Sequence, residues 1–412
     1  MTALAPTDRL VTRPRMRVAA VSMIAAMLVG IQVSGDRVRG VVTAQGTVDS
    51  LDRPIGTDFS NVWTAGWMAN HGDAPRAWDW PSHHAVQAWL HGDPHIPFYG
   101  WHYPPPFLIV ASLLARLPYV AALLVWQGLT FALALMLVRR VLPADRDALI
   151  AAAGAPVVLI CLGHGQNAFL TASLLGGGMM LLDRRPWIAG MLLGALVYKP
   201  QFAVLIPVLL LVRGEGRAFL AAGLTVAALC LVTLALWGWP VWQAFLESLP
   251  LTRHVVIEAG ATGWHKIQSP FATIRQWGGP IPLAYGVQAL VTALAIGAAA
   301  LVARRGAMPL RAAAALSAAL LCTPYVLDYD HVLLGVAIAF LFADMQARGV
   351  TRWEPSWLAF AWLAPLFGRA ASQWAHLPVN LIAAIALLAL AARRAALLDA
   401  AFARPLHAPQ RQ

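Results

Sequence analysis

From Pro104 to the end of the eleventh decade-long apolar run near residue 392, one apolar segment follows another with only a few polar residues between them. A helix of about 20 apolar residues crosses a bilayer, and any other lipid-exposed backbone there would leave its polar groups unpaired. The succession predicts an all-α polytopic membrane protein. Composition agrees, with 59% of the 412 residues hydrophobic and only 12% charged, against roughly 25% charged in an ordinary soluble domain. Mean hydropathy is +0.64. A soluble core of this composition would have almost no polar shell.

The formal net charge of +11 does not point to nucleic acid, because the arginines sit at the ends of apolar spans rather than on one helix face or in a basic arm. Positive-inside placement explains them. Arg9, Arg13, Arg15 and Arg17 put residues 1–17 in the cytoplasm, ahead of a first transmembrane helix at 18–34. That helix reads as a retained anchor, with a signal cleaved near Val33 and Gly35 as the alternative. Arg184 with Arg185, Arg304 with Arg305 and Arg393 with Arg394 mark further cytoplasmic ends, the last opening a cytoplasmic tail at 393–412. Cys161, Cys230 and Cys322 stand singly in apolar segments, so neither a disulfide framework nor a thiolate metal site is expected.

Residues 35–103 are too rich in Asp, His, Trp, Pro and Gly for hydrocarbon and read as a large extracytoplasmic loop. Within it "SNVWTAGWMANHG" and "SHHAVQAWLHG" have helical spacing, which predicts two short helices lying at the membrane interface. The multi-span region, 104–392, divides into apolar segments at 104–138, 149–162, 167–182, 188–198, 201–212, 218–237, 281–303, 310–323, 332–346, 356–367 and 378–392. Together with the first helix this makes about twelve spans, several of them too short to cross straight. Short or broken helices are tolerated at membrane depth where they line a protein or water-filled cavity. The 104–138 stretch is either two spans turning at "ARLPY" or one span plus a re-entrant piece, and Arg139 and Arg140 favour the second. Residues 239–280 read as a second extracytoplasmic loop.

Asp58, in "GTDFSNVWTAG", precedes the first loop helix. The residues leave two readings open, an N-cap or a membrane-proximal acid with a chemical task. "FYGWHYPPPF", ending at Phe107, gives a stiff entry into the next segment and carries His102 and Tyr103 among aromatics on which sugars or lipid headgroups can stack. Six of the 12 histidines lie in the loop, and His91 with His95 has the i, i+4 spacing of metal ligands, but no helical H-E-x-x-H accompanies it. Solvated histidines and no metal are the expectation. Lysine occurs only at Lys199, in "VYKPQF", and Lys266, in "GWHKIQSP". Lys199 lies between apolar segments, where an ammonium either neutralises a lipid phosphate or snorkels to the interface. "LGHGQNAFL", with Gln166 and Asn167, and "TPYVLDYDHVLL", with Asp328, Asp330 and His331, are polar breaks that serve as plain turns or as a cavity lining.

Taken together, "TDFSNVW", "YPPPF", "GHGQN", "AGMLLGALVYKPQF", "QSPFATIR" and "TPYVLDYDH" resemble, in order and spacing, the pattern of glycosyltransferase family 87 over roughly residues 50–345. The resemblance implies a GT-C-like fold and transfer of a hexose, typically mannose, from a polyprenyl-phosphate-linked donor to an acceptor hydroxyl on a lipid or cell-envelope glycan, with inversion. Asp58 stands at the matching position of the family's acidic residue and becomes the general base. An inverting displacement needs one base, and a phosphate leaving group needs cations rather than an acid. Lys199, Lys266, Arg275 and His331 are the candidates for the donor phosphate; His102, Tyr103, Gln166, Asn167, Gln268 and Asp330 are candidates for substrate contact. No cofactor is implied, and membrane lipids rather than nucleic acid are the expected surroundings. The setting implied is a bacterial inner membrane, with the site facing the periplasm or cell exterior. The chain departs from the pattern where "YVLDYDH" replaces a Ser-Trp before the late His and where the usual Asn before "QS" is missing. A secondary transporter and a non-catalytic envelope-assembly protein are the competing readings.

Overall fold

The computed structural model describes residues 6–42, 47–49 and 52–402. Its helices are α1 (Arg13–Val42), α2 (Phe59–Asn70), α3 (Trp80–His91), α4 (Pro106–Leu114), α5 (Tyr119–Val141), α6 (Arg146–Ala153), α7 (Pro156–His164), α8 (Ala168–Leu181) and α9 (Pro186–Gly194). After these come α10 (Pro200–Ala203), α11 (Ile206–Arg213), α12 (Gly216–Thr252), α13 (Pro270–Gln276), α14 (Ile281–Arg305), α15 (Met308–Leu321), α16 (Val332–Arg348), α17 (Glu354–Ala375) and α18 (Val379–Phe402). Among the described residues there is no strand, only isolated bridges such as Ile267 to Leu327. Each apolar segment after Pro104 coincides with one helix or one broken pair. Proline opens the piece after many breaks, as at Pro106, Pro156, Pro186 and Pro200, because it lacks the N–H a first helical turn does not use.

Among the described residues five helices are long and apolar enough to cross a membrane, and α6 with α7, bent by 47°, would make a sixth. The twelve expected spans are not reached by this measure, because several apolar segments form helices of only 10–17 residues. The nine residues of α4 reach about 14 Å, too little to cross, so 104–138 holds one span, α5, and one short piece. The first helix continues to Val42, past the expected boundary at 34. Beyond Gly238, whose φ of 72° kinks it, α12 continues as helix to Thr252 into the stretch read as a second loop. The first loop carries two helices, but α2 does not lie on a surface: Phe59, Val62, Ala65 and Met68 are buried along with its polar Ser60 and Thr64.

Charge pairs fix which helix ends are together. Arg13 pairs with Asp145, Arg17 with Asp147, and Arg213 and Arg311 both reach Asp183. The Asp183–Arg213 bridge of 2.7 Å shows that the segment from α9 to α11 returns to the end it left, forming a re-entrant hairpin with Lys199 at its tip. Tyr119, at the start of α5, donates to the Ile55 carbonyl at 2.6 Å, whereas Arg139 and Arg140 close the helix about 30 Å away. The first loop therefore lies at the end opposite these arginine-bearing helix ends. A cavity of about 360 Å³, lined by Met16, Ala148, Ile338, Phe342 and Trp362 among others, sits at the arginine-bearing end, away from Asp58.

Candidate functional site

Three chain reversals meet beneath the first loop: Gly165–Asn167 between α7 and α8, Lys199 at the tip of the re-entrant hairpin, and Thr323–His331 between α15 and α16. Gly165 holds a φ of 63°, and a Cβ there would sit 2.6 Å from that of Phe59. Only glycine lets the α7–α8 reversal come this close to the start of α2.

Asp58 sits before α2 without capping it. The first N–H groups of the helix are taken by backbone instead, Phe59 by Gly56 and Ser60 by Thr57, because the tight turn before the helix already supplies carbonyls. The carboxylate is left free, and it accepts a hydrogen bond from Gln166 Nε2 at 2.8 Å. A carboxylate can only accept, which fixes the Gln166 amide with its oxygen turned away. That oxygen accepts from the Tyr103 hydroxyl at 3.1 Å, and Tyr103 in turn accepts from Asn167 Nδ2 at 2.7 Å. Gln127 holds the Gln166 carbonyl at 2.9 Å from α5. Thr57, at a φ of 25°, is strained for a β-branched residue and is held by His164 Nδ1 at 2.8 Å.

Burial pushes the Asp58 carboxyl above its ordinary value, against the opposing pulls of His164, Gln166 and Lys266, while Asp328 adds to the rise. Asp58, Tyr103, His164, His265, Lys266 and Tyr325 all keep some exposed surface. Burial pulls the Lys266 ammonium down, and Arg369 nearby pulls it further.

The remaining candidates separate by their partners. Lys199, 3% exposed, gives its ammonium to Asp330 at 2.6 Å and lies 5.3 Å from the ring centres of Phe202 and Tyr329. The other Asp330 oxygen accepts the Leu327 N–H at 3.0 Å, so both residues act as a tie between two reversals. His331 is buried beside them; Nδ1 faces the Leu327 and Asp328 carbonyls at 3.2 Å, and Nε2 has no partner. Arg275 spends its guanidinium on the carbonyls of Gly279 and Glu258 and on the Trp264 face, away from the Asp58 network. His102 faces Thr252 Oγ1 at 3.3 Å and Trp80, outside that network too, and burial holds it neutral, down to about 4. Gln268 donates to the His265 carbonyl at 2.6 Å and leaves a buried acceptor oxygen open.

His91 and His95 do not converge. His91 is buried against Ser60 and Thr47, whereas His95 is exposed beside Asp93. Among the described residues no group of three or more His, Cys, Asp or Glu side chains is placed to hold a metal ion. Of the residues at the site without an assigned role in the sequence, two stand out. His164 was visible inside "GHGQN", but Arg369 of α17, 3.6 Å from Asp328, carried no local signal.

The family model for glycosyltransferase family 87 matches residues 101–327, more than half of the chain. The chain belongs to glycosyltransferase family 87. No curated protein and no solved structure matches it. Membership makes this helical membrane protein a glycosyltransferase, with a sugar donor and an acceptor as substrates. The family 87 match includes Tyr103, Gln166, Asn167, Lys199, Lys266 and Gln268; Asp58, Asp328, Asp330, His331 and Arg369 lie outside it.

Proposed function

We propose that this family 87 glycosyltransferase moves a hexose, mannose by resemblance to its family, from polyprenyl monophosphate to a hydroxyl on a lipid or cell-envelope glycan, with inversion and with Asp58 as general base. The observation that carries the reading is the Asp58 carboxylate: it is released from capping, oriented by Gln166 and made a stronger proton acceptor by burial. It would take the acceptor proton as the new bond to the anomeric carbon forms, while the bond from that carbon to the phosphate oxygen breaks and its electron pair leaves with the phosphate.

Lys266 beside Asp58, with the buried His331, supports stabilisation of that phosphate. Lys199 and Arg275 are already engaged by the protein, which supports a structural part for them. Asn167 Oδ1 and Gln268 Oε1 are buried acceptors without partners, a feature expected of groups that meet sugar hydroxyls. The arginine-bearing helix ends opposite Asp58 support a periplasmic or exterior-facing site in a bacterial inner membrane.

The test is transfer from radiolabelled polyprenyl-phosphate-mannose into lipid and glycan fractions of membranes holding equal amounts of wild type or Asp58→Asn. Labelling by wild type and a loss of about 100-fold or more in the variant is the expected result. Equal labelling by both would remove Asp58 as the base, and no labelling by wild type would remove the donor.

A further inference from the structure

Two cations beside Asp328, a residue itself close to Asp58, have donors that the protein leaves unused. Lys266 makes no side-chain hydrogen bond or ion pair among the described residues, and Arg369, with 39% of its side chain exposed, meets Asp328 only at 3.6 Å, beyond hydrogen-bond range. The contrast with Lys199 is direct, since its ammonium is committed to Asp330. The bridge between Ile267 and Leu327 sets Lys266 next to the turn whose Asp328 faces Arg369, so the two cations lie close enough for the charge of one to disfavour the other. An anion between them relieves that repulsion.

The placement of Arg369 is built into the fold. Its neighbour Gly368 packs against Asn380 of α18, where any Cβ would collide with the Asn380 amide. This close approach seats α17 so that Arg369 faces the short helical turn Asp328–His331. Asp328 shares its charge, one oxygen accepting the Tyr329 N–H at 2.9 Å and the other facing Arg369. A guanidinium with free donors matches two oxygens of a phosphate in a way that an ammonium cannot.

We propose that Arg369, together with Lys266, binds the phosphate of the lipid-linked donor, exchanging its loose contact with Asp328 for a two-pronged bond to the phosphate oxygens. This rests on the polyprenyl-phosphate donor argued above. It adds to that reading a residue of α17, beyond the part of the chain matched by the family model.

The experiment is equilibrium binding of a short-chain polyprenyl monophosphate and of the corresponding neutral polyprenol to the purified full-length protein in detergent, for wild type, Arg369→Gln and Arg369→Lys. Wild type is expected to prefer the phosphate, Arg369→Gln to lose about tenfold or more of that preference with polyprenol binding unchanged, and Arg369→Lys to keep part of it. Retention of the full preference by folded Arg369→Gln overturns the role of Arg369 and leaves the donor reading standing. Absence of any preference in wild type overturns both. Should Arg369→Gln not fold, Arg369→Lys decides, because undiminished phosphate binding by a point charge contradicts the two-pronged contact.

Discussion

A carboxyl whose affinity for protons is raised by burial accepts a proton more readily and contributes less to the fold. Asp58 binds its proton more tightly in the folded state than in the unfolded one, so across the window between its ordinary and raised values stability falls as pH rises. Asp58→Asn removes that cost, and its melting temperature at neutral pH is expected to hold or rise while transfer is lost; a clear fall in melting temperature would mark Asp58 as a structural residue. For the catalytic part proposed for Asp58 the sign is opposite, because a carboxylate base works only when ionised, and activity is expected to fall as pH drops through the raised value. Gln166→Glu places a second carboxyl within hydrogen-bond reach of the first. The acid limb of its pH–rate profile is expected to move upward by about one unit or more. Gln166 and Asn167 were legible in sequence as a polar break among apolar residues, whereas Asp58 and Tyr103 were singled out by the family resemblance. Arg369 was not, because one arginine near the end of an apolar segment has the same appearance as a topological charge until α17 is seen against Asp328.

Among the elements, the segments and their breaks were readable because proline and glycine act locally, whereas the direction of each short helix depends on partners far along the chain. The hairpin of α9 and α11 shows the difference. Its sequence announces two short apolar pieces, yet only the Asp183–Arg213 bridge says that they return to one end. "GMLLG" places Gly190 and Gly194 on one face of α9, against the backbone of Ala218 and Ala222 in α12, so that the two helices approach closely. Gly190→Leu is expected to lower stability by about 1–3 kcal/mol, read as earlier thermal unfolding in detergent. The same change at Gly223, where a Cβ meets open space, should have little effect.

At the scale of the whole molecule the site has no single owner, since the first loop, the α7–α8 reversal, the re-entrant hairpin and the α15–α16 reversal each supply one part. Lys199 and Asp330 join two of these across a buried 2.6 Å bridge. Lys199→Met leaves Asp330 charged and unpaired, and a loss of about 3–5 kcal/mol is expected, seen as reduced yield and earlier unfolding. Lys199→Met with Asp330→Asn should recover much of it; failure to do so would mean that Lys199 has work beyond this pairing. The re-entrant hairpin also bears on how the chain is made. Neither of its arms reaches across a bilayer, so this stretch has no stable place of its own when it leaves the ribosome. It can settle only once α12 offers a surface on one side and the α15–α16 reversal offers Asp330 for Lys199. The last third of the polypeptide therefore completes the surroundings of an acid that emerged near the start, and a chain halted after α14 would carry Asp58 without the α15–α16 reversal.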